Sequence, residues 1–379
     1  MPHPLHILHT ESSPNWGGQE MRILEQIRWL IDQGHRGWIA AHPASKIVER
    51  ATSLGLPVFP LAFRGSANPA VFMKLLRFVR EKGIHVIDAH GSRDAQLCAW
   101  LRLFGYPVVR SVHVTKPISR DITHTPYWKY GADRIIVTAK LLRGRVAEAG
   151  LDPQRIDVIG EGIDLARFHP RVSGGQVRRE FGIAGHTRVV VNIGMIRPDK
   201  GQLFFVEAAA LVHQTSPDVR FLLVGQGTRP EFEEQVRQRI QERDLAGVVT
   251  MTGYREDVPE IIAAADCVVL ASVDVEAQSR VVPQAFAMRR PVVATDVGAV
   301  AELVGDQTGW LVPGQDIPAM ARAVLDVLDK GDPARVETAF QLATSRLGFE
   351  RMMAKTLQSY RAARGKTVSA RTTATTGAS

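Results

Sequence analysis

Arg197 and Lys200 are the residues whose type and spacing first suggest chemistry. They lie in Gly194-Met195-Ile196-Arg197-Pro198-Asp199-Lys200-Gly201, between a β-like run and a helical pattern. A diphosphate needs fixed positive charge and main-chain donors together. In open α/β sheets, ligands bind in loops that directly follow strands. Gly194 allows a tight exit from the strand; two solvated surface cations are the alternative. A second loop, Glu276-Ala277-Gln278-Ser279-Arg280-Val281-Val282-Pro283-Gln284, follows another apolar run. Glu276 offers an acceptor for hydroxyl groups, beside the amides of Ser279, Arg280 and Val281 at a helix start, where an anion is favoured. Gln284 falls about one helical turn further on. A capping acid ahead of an ordinary amphipathic helix is the plainer reading of the same residues. A third loop, Asn15-Trp16-Gly17-Gly18-Gln19-Glu20, sits between the first strand and the first helix. Gly17 and Gly18 either let the backbone approach a phosphate or form a plain turn.

The elements that position these loops alternate regularly. Residues 5–10, 38–41, 58–61, 86–89, 108–112 and 135–137 read as short strands with helical patterns between them. The helix over 19–33 carries Ile23, Leu24, Ile27, Leu30 and Ile31 as a stripe and stops at Gly34. The pattern restarts after Phe168-His169-Pro170. Strands are expected at 189–193, 221–224, 248–251, 267–270 and 292–294, with a helix over 203–212. Such alternation implies parallel sheets covered on both faces. The expected division is residues 1–168, then 169–345, then a closing helix to 365, then a disordered tail over 366–379. Glycines and a proline cluster at 162–186, where the boundary falls, and the tail is Ser/Thr/Ala/Gly without apolar periodicity.

At 379 residues, 45% hydrophobic and 23% charged, the chain has globular proportions, and each half can bury a core. The net charge is +8. Arg110, Lys116, Arg120, Lys129, Arg134, Lys140 and Arg143 crowd the stretch between Arg102 and Arg145. That stretch is either a solvated basic face or an attraction to something anionic, such as a phospholipid surface or a phosphorylated acceptor. Nothing resembles a nucleic-acid-binding motif, so no nucleic-acid partner is expected. Cys98 and Cys267 are the only cysteines, and neither spacing nor context implies a disulfide framework or a metal. No run reaches the roughly 18–20 apolar residues that span a bilayer, and the start does not read as a signal peptide. A cytoplasmic location is expected, with any membrane contact peripheral, on the inner face of the cytoplasmic membrane.

These motifs, in this order, resemble the GT-B glycosyltransferases, and within them the large retaining family of bacterial nucleotide-sugar transferases, family 4. The resemblance runs from Trp16-Gly17-Gly18-Gln19-Glu20 to the terminal helix. It takes in Gly160-Glu161-Gly162-Ile163-Asp164, Gly194 to Gly201, Leu222-Leu223-Val224-Gly225-Gln226-Gly227, and Pro291-Val292-Val293-Ala294-Thr295-Asp296-Val297-Gly298. It implies two Rossmann-like doubly wound α/β domains facing a central cleft. It implies that Arg197 and Lys200 hold the diphosphate of a UDP- or GDP-sugar, that Glu276 bonds the sugar, and that the 279–281 amides hold the distal phosphate. By the same resemblance Tyr254 and Arg255 lie by the base, Gly17 and Gly18 close over the phosphates, and His113 lies near the transferred sugar. A lone histidine after a strand is otherwise structural as readily as functional. The family carries a second glutamate eight positions after the first; here it is Gln284, which implies a softer ribose contact. No metal is implied, since no Asp-x-Asp pair is placed for one. The expected reaction is retaining transfer to an acceptor hydroxyl, with a glycan or lipid-linked acceptor of the cell envelope, such as lipopolysaccharide. Its rivals are an epimerase on the same fold and a non-catalytic sugar-nucleotide binder.

Overall fold

The computed structural model describes residues 3–63, 68–113, 125–227, 229–274 and 276–376. They form two compact units, one of residues 1–160 with 353–379, the other of residues 161–352.

The first unit is built on β1 (His6–Glu11), β2 (Arg36–Ala41), β3 (Val58–Pro60), β4 (Val86–Ala89), β5 (Val108–Val112), β6 (Arg134–Val137) and β7 (Ile156–Val158). All pair in parallel, in the order β3-β2-β1-β4-β5-β6-β7. Parallel strands need helical crossovers, which cover both faces and exclude water, so β4 reads buried at every position. The helix Gly18–Asp32 turns Ile23, Leu24 and Ile27 onto Ile39 and Ala41 of β2 and Ile47 of the helix Lys46–Ser53. Burying each such side chain contributes about 1.5–3 kcal/mol. Asn68 starts the helix Pro69–Glu81 by accepting from the N–H groups of Ala70 and Val71, with Pro69 set in the first turn.

The second unit repeats the plan with β8 (Val189–Ile193), β9 (Arg220–Val224), β10 (Val249–Gly253), β11 (Cys267–Leu270), β12 (Val292–Asp296) and β13 (Trp310–Pro313). Their order is β10-β9-β8-β11-β12-β13. Alternate residues of β8 enter separate cores, Val190 on one face and Val189 and Val191 on the other. In both sheets the strand order reverses beside the first strand, between β1 and β4 and between β8 and β11. Such a reversal leaves a crevice at the carboxyl ends of the two strands.

Two expectations are corrected. Residues 161–168 belong to the second unit, where Ile163 and Phe168 join its core; the glycines after them mark a turn-rich segment, not the division. The closing helix runs Phe349–Thr376, so residues 366–376, expected to lack structure, extend it. Extending an existing helix costs far less than nucleating one. Residues 377–379 lie outside the described residues.

Candidate functional site

The loop after β8 is shaped by a proline and a glycine. Pro198–Lys200 forms one 3-10 turn, and Gly201 ends it at φ 69°. A Cβ on Gly201 would lie 1.8 Å from the carbonyl oxygen of Ala271, so only glycine allows the turn to rest on the end of β11. The Val273 N–H donates to the Asp199 carbonyl at 3.1 Å and ties the two loops together.

That contact delivers Lys200 to Glu276. The Lys200 Nζ stands 2.7 Å from Glu276 Oε2, and the Ser272 hydroxyl donates to the same oxygen at 2.8 Å. Glu276 is only 6% exposed. Its main chain is pinned from the loop after β12, where the Ala299 N–H donates to the Glu276 carbonyl at 2.8 Å. Gly298, at φ 60°, comes so near that a Cβ would lie 2.0 Å from that oxygen. A buried carboxylate left without any compensating partner costs about 3–5 kcal/mol.

Around it the second unit gathers Arg197, whose guanidinium bonds Asp199 at 2.6 Å, and Gly194, beside which a Cβ would touch nothing within 4 Å. Both cations thus stand beside open space at the end of β8, each paired with a carboxylate. Ser279, Arg280, Val281 and Gln284 follow on the adjoining segment, with the helix running Val281–Ala287. The Val281 N–H already donates to Ser279 Oγ at 3.2 Å, so one of the three amides assigned to a phosphate is engaged within the loop. Arg280 lies 3.9 Å from the Glu161 carboxylate, and the Gln278 side-chain carbonyl accepts from the Glu161 N–H at 2.6 Å. Gln284 is half-buried. Tyr254, after β10, is 41% exposed. Arg255 is tied to Glu180 at 2.7 Å and Asp257 at 2.8 Å, and so serves as a cross-link of the fold.

The first unit holds Gly17, Gly18 and His113. Gly17 leads into the helix Gly18–Asp32 in extended backbone, with Glu20 in the first turn pushed up in pKa by burial. His113 follows β5 and is not alone. Its Nε2 lies 3.0 Å from Nδ1 of His90, whose Nε2 lies 2.9 Å from Nδ1 of His9. Below them Asp88 accepts from Ser111 and Tyr360. Sequence reasoning missed this file. The signal was present as polar residues two apart at three strand ends: His9 and Glu11, Asp88 and His90, Ser111 and His113. Glu11 neighbours Asp94, and burial and that second carboxyl push it up to about 8. Among the described residues, one grouping is near enough to hold a metal ion: His9, Asp88 and His90, with ligand atoms within 4.8 Å of one another. Its 2.9 Å His–His separation is that of a shared proton.

Two arginines of the basic stretch are paired with acids and a third is buried over a ring. Arg102 bonds Asp133 at 2.9 Å, Arg134 bonds Asp157 at 2.6 Å, and Arg110 lies 3.6 Å over the Trp128 ring. Burial lowers Arg110 to about 10. Lys129, Lys140 and Arg143 are exposed; Lys116 and Arg120 lie outside the described residues. Among the described residues no helix is long and apolar enough to cross a membrane.

Comparison with known proteins places these features. Residues 16–167 match the description "Glycosyltransferase Family 4" and residues 187–330 match "Glycosyl transferases group 1". The chain is 35% identical to the alpha-D-kanosaminyltransferase of Streptomyces kanamyceticus, over 67% of this chain and 70% of that one. It is 30% identical to the lipopolysaccharide core biosynthesis mannosyltransferase LpsB of Rhizobium meliloti, over 60% of this chain and 65% of that one. Among three curated relatives the match spans 65%, 48% and 66% of their own lengths. Of solved structures, the Anabaena HepE protein in complex with UDP superposes with a TM-score of 0.81 at 22% identity, over 94% of this chain and 100% of that one. That likeness shows the shared fold, which is GT-B.

Proposed function

Since this chain belongs to the family 4 glycosyltransferases, we propose that it transfers a sugar from a nucleoside-diphosphate donor to an acceptor hydroxyl, with retention at the anomeric carbon. The observation that carries the reading is the Lys200–Glu276 pair at the switch point between β8 and β11. Donor binding exchanges that contact for two: Lys200 and Arg197 take the diphosphate, and Glu276 accepts from the sugar hydroxyls. The bond from the anomeric carbon to the phosphate oxygen breaks, the acceptor oxygen bonds on the same face, and its proton leaves with the departing phosphate. The two cations offset the charge that grows on that leaving group, in the role a metal fills elsewhere. The family resemblance assigns His113 to the transferred sugar.

A UDP-type donor is supported by the UDP complex of HepE, and a cell-envelope acceptor by the printed name of LpsB. A peripheral contact with anionic lipid is supported by exposed Met73, Trp100, Leu103 and Phe104, with exposed Lys74, Arg77 and Arg80 on the helix that carries Met73. Apolar side chains with adjacent cations suit an anionic interface.

The test is Lys200→Ala and Glu276→Ala, assayed with the donor that most raises the melting temperature among UDP-, GDP- and ADP-sugars. Each variant is expected to lose transfer by about 10²–10³-fold. Near wild-type transfer by either one overturns the site. Vesicle binding indifferent to anionic lipid overturns the membrane contact.

A further inference from the structure

The histidine file of the first unit has a direction. His9, His90 and His113 stack with ring centroids 5.1 and 5.3 Å apart and interplanar angles of 10° and 22°. At the inner end the Tyr360 hydroxyl donates to Asp88 Oδ2 at 2.5 Å and lies 3.5 Å from His9 Nε2. The Ser111 hydroxyl donates to Asp88 Oδ1 at 2.8 Å. His9, Asp88 and Tyr360 are fully buried, and His90 is 8% exposed. The charged group facing them is the Arg22 guanidinium, 1% exposed, which offsets Asp88 and opposes a charge on either ring.

Each proton can then be placed. Burial pushes the Asp88 carboxyl up, yet both its oxygens accept from hydroxyls, one from Ser111 and one from Tyr360, so the single Tyr360 proton is spent on Asp88 and the Tyr360 oxygen is left toward His9 as an acceptor. Burial holds His9 and His90 neutral, both pushed down to about 3. A neutral ring has one N–H. His9 carries its proton on Nε2, toward Tyr360, and accepts at Nδ1. His90 therefore donates from Nε2 to His9 Nδ1 at 2.9 Å. Its Nδ1 accepts, and the hydrogen at the 3.0 Å contact comes from His113 Nε2.

We propose that Asp88 and Tyr360 are positioning residues which, through His9 and His90, fix neutral His113 as the Nε2–H tautomer, with Nδ1 as its acceptor nitrogen. The sugar contact rests on the reading of His113 given above; the tautomer does not. The closing helix thus contributes to the site through Tyr360.

Nitrogen-15 histidine spectra of the full chain at pH 7 read the tautomers directly, without donor or acceptor. Three neutral Nε2–H rings in the wild type support the proposal; His113 as Nδ1–H overturns it, whatever becomes of any variant. Asp88→Asn supplies an N–H where there was only an acceptor, which reverses the file. It is expected to convert His113 to Nδ1–H and to lower kcat about 10²-fold, with donor KM within threefold of wild type. His113 unchanged in a folded Asp88→Asn overturns the relay. A converted tautomer with unchanged kcat overturns the sugar contact alone. Stoichiometric zinc retained by the purified protein also overturns the proposal, since a metal would replace the His9–His90 proton. Lys200→Ala leaves all three tautomers as in the wild type, which separates this inference from the donor site.

Discussion

The two sheets share one strand order and use its reversal point in opposite ways. In the second unit the residues at the reversal, Lys200 after β8 and Glu276 after β11, form a single ion pair beside open space. In the first unit the corresponding strand ends, His9 on β1 with Asp88 and His90 at β4, are closed into a buried hydrogen-bonded file. The same topology therefore gives an ion pair beside open space in one unit and a buried row of hydrogen-bonded rings in the other. What differs is chemistry. A lysine and a carboxylate separate when a better partner arrives, whereas stacked neutral imidazoles have no net charge to attract one.

The comparison is broken most severely at Gly201. Gly201→Ala combines a positive φ with a clash against the Ala271 carbonyl. It is expected to destabilise the second unit by about 2–4 kcal/mol and to lose donor binding, while the histidine resonances of the first unit stay put. Hydrogen exchange followed peptide by peptide checks both halves.

Acid distinguishes the units next. His9 and His90 bind protons near 6.5 when unfolded but only near 3 when folded. The unfolded chain then holds more protons, so first-unit stability falls as pH drops from about 6.5, by up to about 1.4 kcal/mol per unit for each ring. Glu11, raised to about 8 by burial and Asp94, works in the other sense, its stabilisation declining as pH rises from 4.5 to 8. Glu20, Asp88 and Asp94 are raised by burial as well and act in the same sense as Glu11, so the first unit is expected to lose stability to acid through its two rings and to rising pH through its buried carboxyls. In the second unit Arg255 hydrogen bonds hold Asp257 below the usual carboxylate range, so that contribution is lost only as pH falls through about 4 and below. Exchange rates of the two units that fall off together with acid would contradict this.

Two smaller changes sharpen the contrast. Gln284→Glu replaces a neutral contact by a charged one and is expected to tighten donor binding about three- to tenfold, following the 0.5–1.5 against roughly 1.5–3 kcal/mol of such bonds; calorimetric titration measures it. Tyr360→Phe removes one buried hydroxyl and is expected to cost the first unit about 1–2 kcal/mol in chemical denaturation, with donor affinity unchanged.

The donor loops were legible because their logic is local. A strand followed within eight residues by a glycine and two cations gives the position of 194–201 and the chemistry proposed for it. The ion pair itself was not legible, because it depends on β11 lying beside β8 and on Gly201 resting against Ala271, contacts distant in sequence. The histidine file was hidden for the same reason: β1, β4 and β5 become neighbours only in the sheet. Two strands went unread. β7 is three residues with Asp157 at its centre, held there by Arg134 and Ser359, so it has no apolar run to announce it. β13, Trp310–Pro313, is a four-residue edge strand that ends in proline. The basic stretch was legible as composition but not as pairing. Arg102 and Arg134 find Asp133 and Asp157, acids that composition over a window does not pair with them.

The central claim is that Lys200 and Glu276 divide one donor between them, and calorimetry with UDP and the matching UDP-sugar tests it on the two alanine variants. Lys200→Ala is expected to weaken both ligands at least tenfold, as loss of a charge-assisted contact requires. Glu276→Ala is expected to bind UDP as the wild type does and to lose only the added affinity for the sugar. Equal weakening of UDP by both variants, or none by Lys200→Ala, would contradict the account.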